Sequence, residues 1–188
     1  MMTVRILSAS WFERPVAMRL PFQFGNTEVR ETAEAYCEVE IEADGRRARG
    51  ASAQLMVPRG VDKRPALSNA ATIDVLRATV RAAVAAAPER SGSALAITRE
   101  LRQDVACADP ALPALAAGFG PALVEMALVD ALCRAAGLPF WKAAALDMFG
   151  LAHGRPADLP AAALAASLSR IEAPNRISVR HTVGFDAP

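Results

Sequence analysis

Histidine is the side chain most often recruited as a base or metal ligand, and this chain has two, His153 and His181. Neither has an acidic cluster near it in sequence, so neither forms a site on spacing alone. Glu34, Glu38, Glu40 and Glu42 have the chemistry of a ligand set, but steps of two and four place them on one face of a strand, where solvated carboxylates are ordinary. Cys37, Cys107 and Cys133 are odd in number and widely separated, which fits buried thiols and neither a disulfide frame nor a zinc site. Arg46, Arg47 and Arg49 read as surface charge after a turn. Arg59, Lys63 and Arg64 form a second cationic group with the donors to meet an anionic substrate. Neither group has the aromatic interleaving of a nucleic-acid surface. Gly118-Phe119-Gly120 lacks the lysine and hydroxyl of a phosphate loop and reads as a helix-entry turn.

Composition narrows the classes further. Hydrophobic residues make up 53% of 188, enough to build a buried core. Twenty-one Lys and Arg against 20 Asp and Glu give no global field to hold a phosphate backbone, so nucleic acid is not an expected partner. The longest weakly polar stretch is taken as 159–168, well short of the ~20 apolar residues of a membrane helix, and no membrane span is expected. Arg5, Trp11, Glu13 and Arg14 interrupt any secretory pattern at the N-terminus, and a cytoplasmic setting is expected.

These residues need elements to position them. Ala35, Cys37, Val39 and Ile41 alternate with Tyr36, Glu38, Glu40 and Glu42, which predicts a half-buried strand. Asp44-Gly45 supplies a hairpin turn, residues 46–53 the returning strand, and residues 4–8 an earlier one, giving a three-stranded antiparallel meander. Ser68 or Asn69 caps a helix to about Ala87 with Ile73, Leu76, Val80 and Val84 inward, and Ser93 caps another carrying Ile97, Leu101 and Val105. A third long helix runs from Pro121 to Gly137, with Val124, Ala127, Leu128, Ala131, Leu132 and Ala135 on one face, and Pro139 opens a short turn after it. Gly150, Gly154, Pro156, Pro160 and Pro174 punctuate the C-terminal stretch, so a domain boundary is placed at 150, with 151–188 as linker and a last strand over 177–185.

The wording VEMALVDALCRAAGLPFWKA at 124–143 resembles the alanine-rich helix ending in Gly-Leu-Pro of mandelate racemase and muconate lactonizing enzyme-like members of the enolase superfamily. Three more stretches are similar in the same order. MRLPFQFGNT at 18–27 looks like the family's first mobile loop, and ETAEAYCEVEIEA at 31–43 like its second strand. GASAQLMVPRG at 50–60 looks like its second substrate-covering loop. SVRHTVGFDAP at 178–188 looks like the first strand of the family's barrel.

The resemblance implies an α+β fold: a capping domain over 1–150, with a three-stranded antiparallel meander followed by a helical bundle, then the first strand of a (β/α) barrel otherwise missing. In such enzymes a Lys or His base takes the proton beside a substrate carboxylate while Mg2+ steadies the enediolate. Those groups sit on later barrel strands, so no catalytic or metal residue is assigned here, no cofactor is expected on this chain alone, and the chain alone is expected to be silent. The family's lid does carry over, onto 21–27 and 53–62. Phe22, Phe24, Leu55 and Met56 would shield a substrate, and Gln54 and Arg59 would meet its hydroxyls or carboxylate. The implied partners are the barrel, a small carboxylic or sugar acid, and a further copy of the chain. Rival readings are a subunit that docks on a separately encoded barrel, and a non-catalytic module that binds a small acid or a protein.

Overall fold

The alternation predicted around Cys37 forms the centre of a sheet. In the computed structural model, which describes residues 1–25 and 27–180, β1 (Val4–Phe24) and β2 (Thr27–Ala43) make a long antiparallel hairpin, and β3 (Arg46–Leu55) returns along β2. Ala33, Ala35, Cys37, Val39, Ile41 and Ala43 are all buried, whereas the glutamates between them face outward. Asp44 and Gly45 both take positive φ, 49° and 70°, the hairpin geometry whose twist matches the strands it joins. A two-residue β4 (Ser91–Gly92) adds to the far side of β1, giving the order β3-β2-β1-β4.

β1 is far longer than the strand expected at 4–8. It pairs with β2 from Val4↔Ala43 to Phe24↔Thr27, with irregularities after Ile6 and after Ala17. Pro15 is at odds with a central strand, but β4 pairs only with Val4 and Arg5, so Pro15 lies on the open edge, where a missing N–H breaks no ladder. The segment 18–27, expected as a mobile loop, is therefore the distal end of a hairpin.

Helices cover one face of this sheet. Ser68 Oγ accepts from the Ala71 amide at 3.1 Å to start α1 (Asn69–Ala86), and Ser93 Oγ accepts from Ala96 at 3.2 Å to start α2 (Ala94–Ala108). Each such cap contributes about 1 kcal/mol. Their buried residues include the predicted Ile73, Leu76, Val80 and Val84 on α1 and Ile97, Leu101 and Val105 on α2. After the single-turn α3 (Ala114–Ala117), Gly118 leads directly into α4 (Phe119–Ala136), and Gly137 ends it in the left-handed conformation with φ 65°.

α4 is the central helix. It packs on β3 and β2 on one side and on α1 and α2 on the other, so it buries Leu123 as well as the predicted Val124, Ala127, Leu128, Ala131 and Leu132. This double burial accounts for the apolar composition of 114–136, which exceeds 159–168 in length: it is long and apolar enough to cross a membrane, and more than half of its most apolar part is buried within the fold.

Short helices α5 (Phe140–Ala145), α6 (Leu151–Gly154) and α7 (Ala161–Leu168) come next, and α7 buries no residue. Residues 177–180 form no strand: Ile177 and Val179 are exposed, and no described strand offers them a ladder partner. The rest of the expected strand, with His181, lies outside the described residues. Cys37 is buried and its thiol is pushed up to about 12, chiefly by burial, which makes it inert. Cys107, expected to be buried, is exposed because it lies off the inward row Ile97, Leu101, Val105 of α2.

Candidate functional site

The distal end of the β1–β2 hairpin, the end of β3 and the start of α4 converge on a groove of about 740 Å³. That volume lies in the range of small-molecule sites. Phe22 reaches it from the hairpin, and Gln54 and Leu55 from the last two positions of β3. The two segments picked out as a lid therefore meet at one place although about thirty residues separate them.

The loop after β3 is fixed from beneath. The Met56 amide donates to the Ala33 carbonyl at 2.8 Å, and the buried Thr32 hydroxyl donates to the Met56 carbonyl at 2.6 Å. Met56 is consequently fully buried in the core and does not face the groove, contrary to the shielding role expected of it. Arg59 is also placed differently. It sits in a turn closed by Gly60 N to Val57 O at 3.1 Å, its own φ is 57°, and its guanidinium donates to the Leu67 carbonyl at 2.6 Å and to Asn69 Oδ1 at 3.3 Å. The cation expected to meet a substrate instead ties the loop to the start of α1. Phe24 occupies the last position of β1, paired with Thr27 across the turn.

Asp62 gives the loop its second anchor. Its carboxylate is buried and takes Arg64 Nε at 3.0 Å, Arg64 Nη2 at 2.6 Å and the Arg64 amide at 3.1 Å. The Arg64 side-chain hydrogen bond leads in holding the Asp62 carboxyl below its usual range, against the opposing effect of burial. A lowered native pKa means the unfolded chain binds the proton more readily, so this contact stabilises fully above the ordinary carboxylate value of about 4 and fades as pH falls through the native value. Protection of the 56–67 amides, measured relative to their intrinsic exchange rates, should therefore fall below about pH 4 in the parent chain, and Arg64→Ala should already show low protection at neutral pH.

The groove's cations are Lys63, from the cationic group noted in the sequence, and Arg102 of α2, which the sequence did not single out. In sequence Arg102 is one more charge beside the buried Leu101, and only the tertiary packing turns it toward the loop. Its guanidinium donates to Glu125 on α4 at 3.5 Å. Leu115, Phe119 and Met126 make the apolar wall; they too were unmarked, because apolar helix residues read first as core.

The carboxylates do not suit a hard cation. Among the described residues no three His, Cys, Asp or Glu side chains gather closely enough to hold a metal. Glu34 is engaged by Arg14 at 2.7 Å and Glu40 by Arg49 at 3.3 Å along the outer sheet face, and His153 is exposed on α6. The residues present do not fit magnesium.

A meander followed by helices, with the hairpin end and the β3 loop at one pole, is an α+β fold similar to part of solved enolase and mandelate racemase/muconate lactonizing enzyme-like structures. Among solved structures, an enolase with bound magnesium from an alphaproteobacterium is 15% identical with a TM-score of 0.50, over 73% of this chain and 33% of that one. A mandelate racemase/muconate lactonizing enzyme-like protein from Rubrobacter xylanophilus is 19% identical with a TM-score of 0.48, over 74% and 33%. An enolase from Bradyrhizobium complexed with magnesium and mandelic acid is 16% identical with a TM-score of 0.45, over 76% and 35%. The chain thus spans about a third of the length of the proteins it resembles. No protein-family model and no curated protein matches the sequence.

Proposed function

We propose that the chain is the substrate-specificity domain of a mandelate racemase-like enzyme of the enolase superfamily, acting on carboxylic or sugar acids in the cytoplasm. Residues 1–150 form the cap and 151–188 lead toward a barrel that supplies the base and the magnesium carboxylates. The observation that carries this reading is the convergence of Phe22, Gln54 and Leu55 on one groove, within a fold shared at a TM-score of 0.50 with a magnesium-bound enolase. Within such an enzyme the chain's own residues would exclude water and select the substrate: Phe22 and Leu55 cover apolar surface, and Gln54 offers both a donor and an acceptor. The proton transfer itself, with its base and metal site, is assigned to the barrel.

A subunit that docks on a separately encoded barrel is the second reading. It is favoured by the exposed Phe140, Trp141 and Leu146 on and just after α5, apolar side chains that a docked subunit would cover.

The native protein from its own cells tests both. A mass roughly 25 kDa above the chain's 19.8 kDa, the scale of a ~250-residue barrel, supports the first reading, and a co-purifying barrel supports the second. The isolated chain with Mg2+ in D2O should exchange no α-proton of any acid offered. Exchange by the chain alone, or a native 19.8 kDa chain with no barrel partner, would overturn the proposal.

A further inference from the structure

We propose that the outer face of the sheet, the one turned away from the helices, binds a second copy of the chain. Along β2 that face carries Glu34, Tyr36, Glu38, Glu40 and Glu42, so Tyr36 interrupts a row of carboxylates. The strand register sets Tyr36 between Phe12 of β1 and Ala53 of β3. Phe12 is 55% exposed, and Ala51 and Ala53 on β3 are exposed as well. Arg14 lies over the Tyr36 ring at 5.6 Å from its centre. Aromatic residues and arginine concentrate where protein surfaces bind one another, and three strands bring them together here on an otherwise charged face.

The occupant follows from a ridge and a hollow on this one face. Arg14 stands on the ridge, with its side chain 65% exposed even though Nη2 reaches Glu34 at 2.7 Å. Toward the start of β1 lies a hollow of about 180 Å³ whose lining includes Ser8, Ser10, Glu38, Glu40 and Arg49. Arg49 engages Glu40 at 3.3 Å, and Glu38 makes no ion pair among the described residues. The hollow therefore suits a guanidinium in charge, and the same face supplies one at the matching offset. Ser10 and Arg14 lie two residues to either side of Phe12, and Ser10 is paired with Glu38. A two-fold axis lying between two such faces, along the Phe12–Tyr36–Ala53 row, sets Arg14 of each copy over Ser10 of the other. Arg14 then lies between Glu34 of its own chain and Glu38 of the second, where it makes charge-assisted hydrogen bonds to both. The contact is made twice, as a self-complementary interface requires. Two sheets packed this way stand about 10 Å apart, close enough to take Phe12 and Tyr36 out of water.

Sedimentation equilibrium of the 188-residue chain tests this. The mass should rise with concentration from 19.8 kDa toward twice that value. Phe12→Ser, Arg14→Glu and Glu38→Arg should each weaken association by about ten-fold or more. All three side chains are exposed, so unaltered circular dichroism is expected and checks the fold. The deciding arm is a mixture. Arg14→Glu chains and Glu38→Arg chains, each weakly associating alone, should pair with one another and recover most of the loss, because both contacts then again join opposite charges. A chain that stays at 19.8 kDa throughout would overturn the proposal. So would dimers that Phe12→Ser leaves intact, which would place the interface elsewhere, and so would a mixture no tighter than its components. The capping role stands or falls separately, on whether a barrel is found with the native protein.

Discussion

Gly120→Ala is expected to destabilise the fold by about 3 kcal/mol or more, read as a lowered denaturant midpoint at unchanged slope. A Cβ at Gly120 would lie 2.1 Å from the Thr79 carbonyl oxygen and 2.3 Å from its carbon, so α4 cannot keep its present distance from α1. The obstructing atoms are backbone, which no rotamer change moves aside. Gly50→Ala makes the same demand on the opposite side of α4, where its Cβ would meet the Ala127 carbonyl oxygen and the Ala131 nitrogen, each at 2.2 Å. That side also carries Ser52 Oγ to the Leu123 carbonyl at 2.7 Å and the Ala51 amide to Asp130 Oδ2 at 3.0 Å, which tie the β3 edge to the helix. Gly118→Ala is the control: its φ is −75° and its nearest neighbour would be the Ala114 carbonyl oxygen at 3.5 Å, so it should stay within about 0.5 kcal/mol of the parent. If Gly120→Ala and Gly118→Ala melt alike, the close approach of α1 and α4 is wrong.

These glycines also mark what the sequence revealed and what it hid. The period-two pattern at Cys37, the capping serines Ser68 and Ser93, and the Gly137 stop are local signals, and local signals placed the central strands and the three long helices. Gly120 read only as part of an entry turn because its real constraint, the backbone of Thr79, lies about forty residues away in sequence. The length of β1 was missed for a related reason. Pro15 is tolerable only on an edge strand, and whether a strand is an edge is a property of the sheet. Of the residues that the resemblance put forward, Phe22, Gln54 and Leu55 line the groove. The resemblance did not find Arg102, nor foresee that Met56 and Arg59 turn away, since the direction of a side chain in an irregular loop is set by partners such as Thr32 and Leu67 that are distant or unmarked.

Met56 and Gln54 together separate a lid residue from a core residue two positions apart. Met56 is fully buried, its amide and carbonyl are both bonded into β2 at Ala33 and Thr32, and its side chain belongs to the main core. Met56→Ala is therefore expected to cost about 2–5 kcal/mol, the lost transfer energy of the side chain plus the cavity it leaves, seen as a fall in unfolding midpoint. Gln54→Ala removes an exposed side chain at the groove and should change stability by less than about 0.5 kcal/mol. A Met56 that shielded substrate from the end of a loop would give the reverse ranking for binding and almost none for stability. Chemical denaturation of the two variants beside the parent decides it: a Met56→Ala chain as stable as the parent would mean that the loop after β3 lifts off Ala33 in solution and the shielding role returns. A large loss confined to Met56→Ala would fix that loop as the rigid floor on which Gln54 and Leu55 are presented.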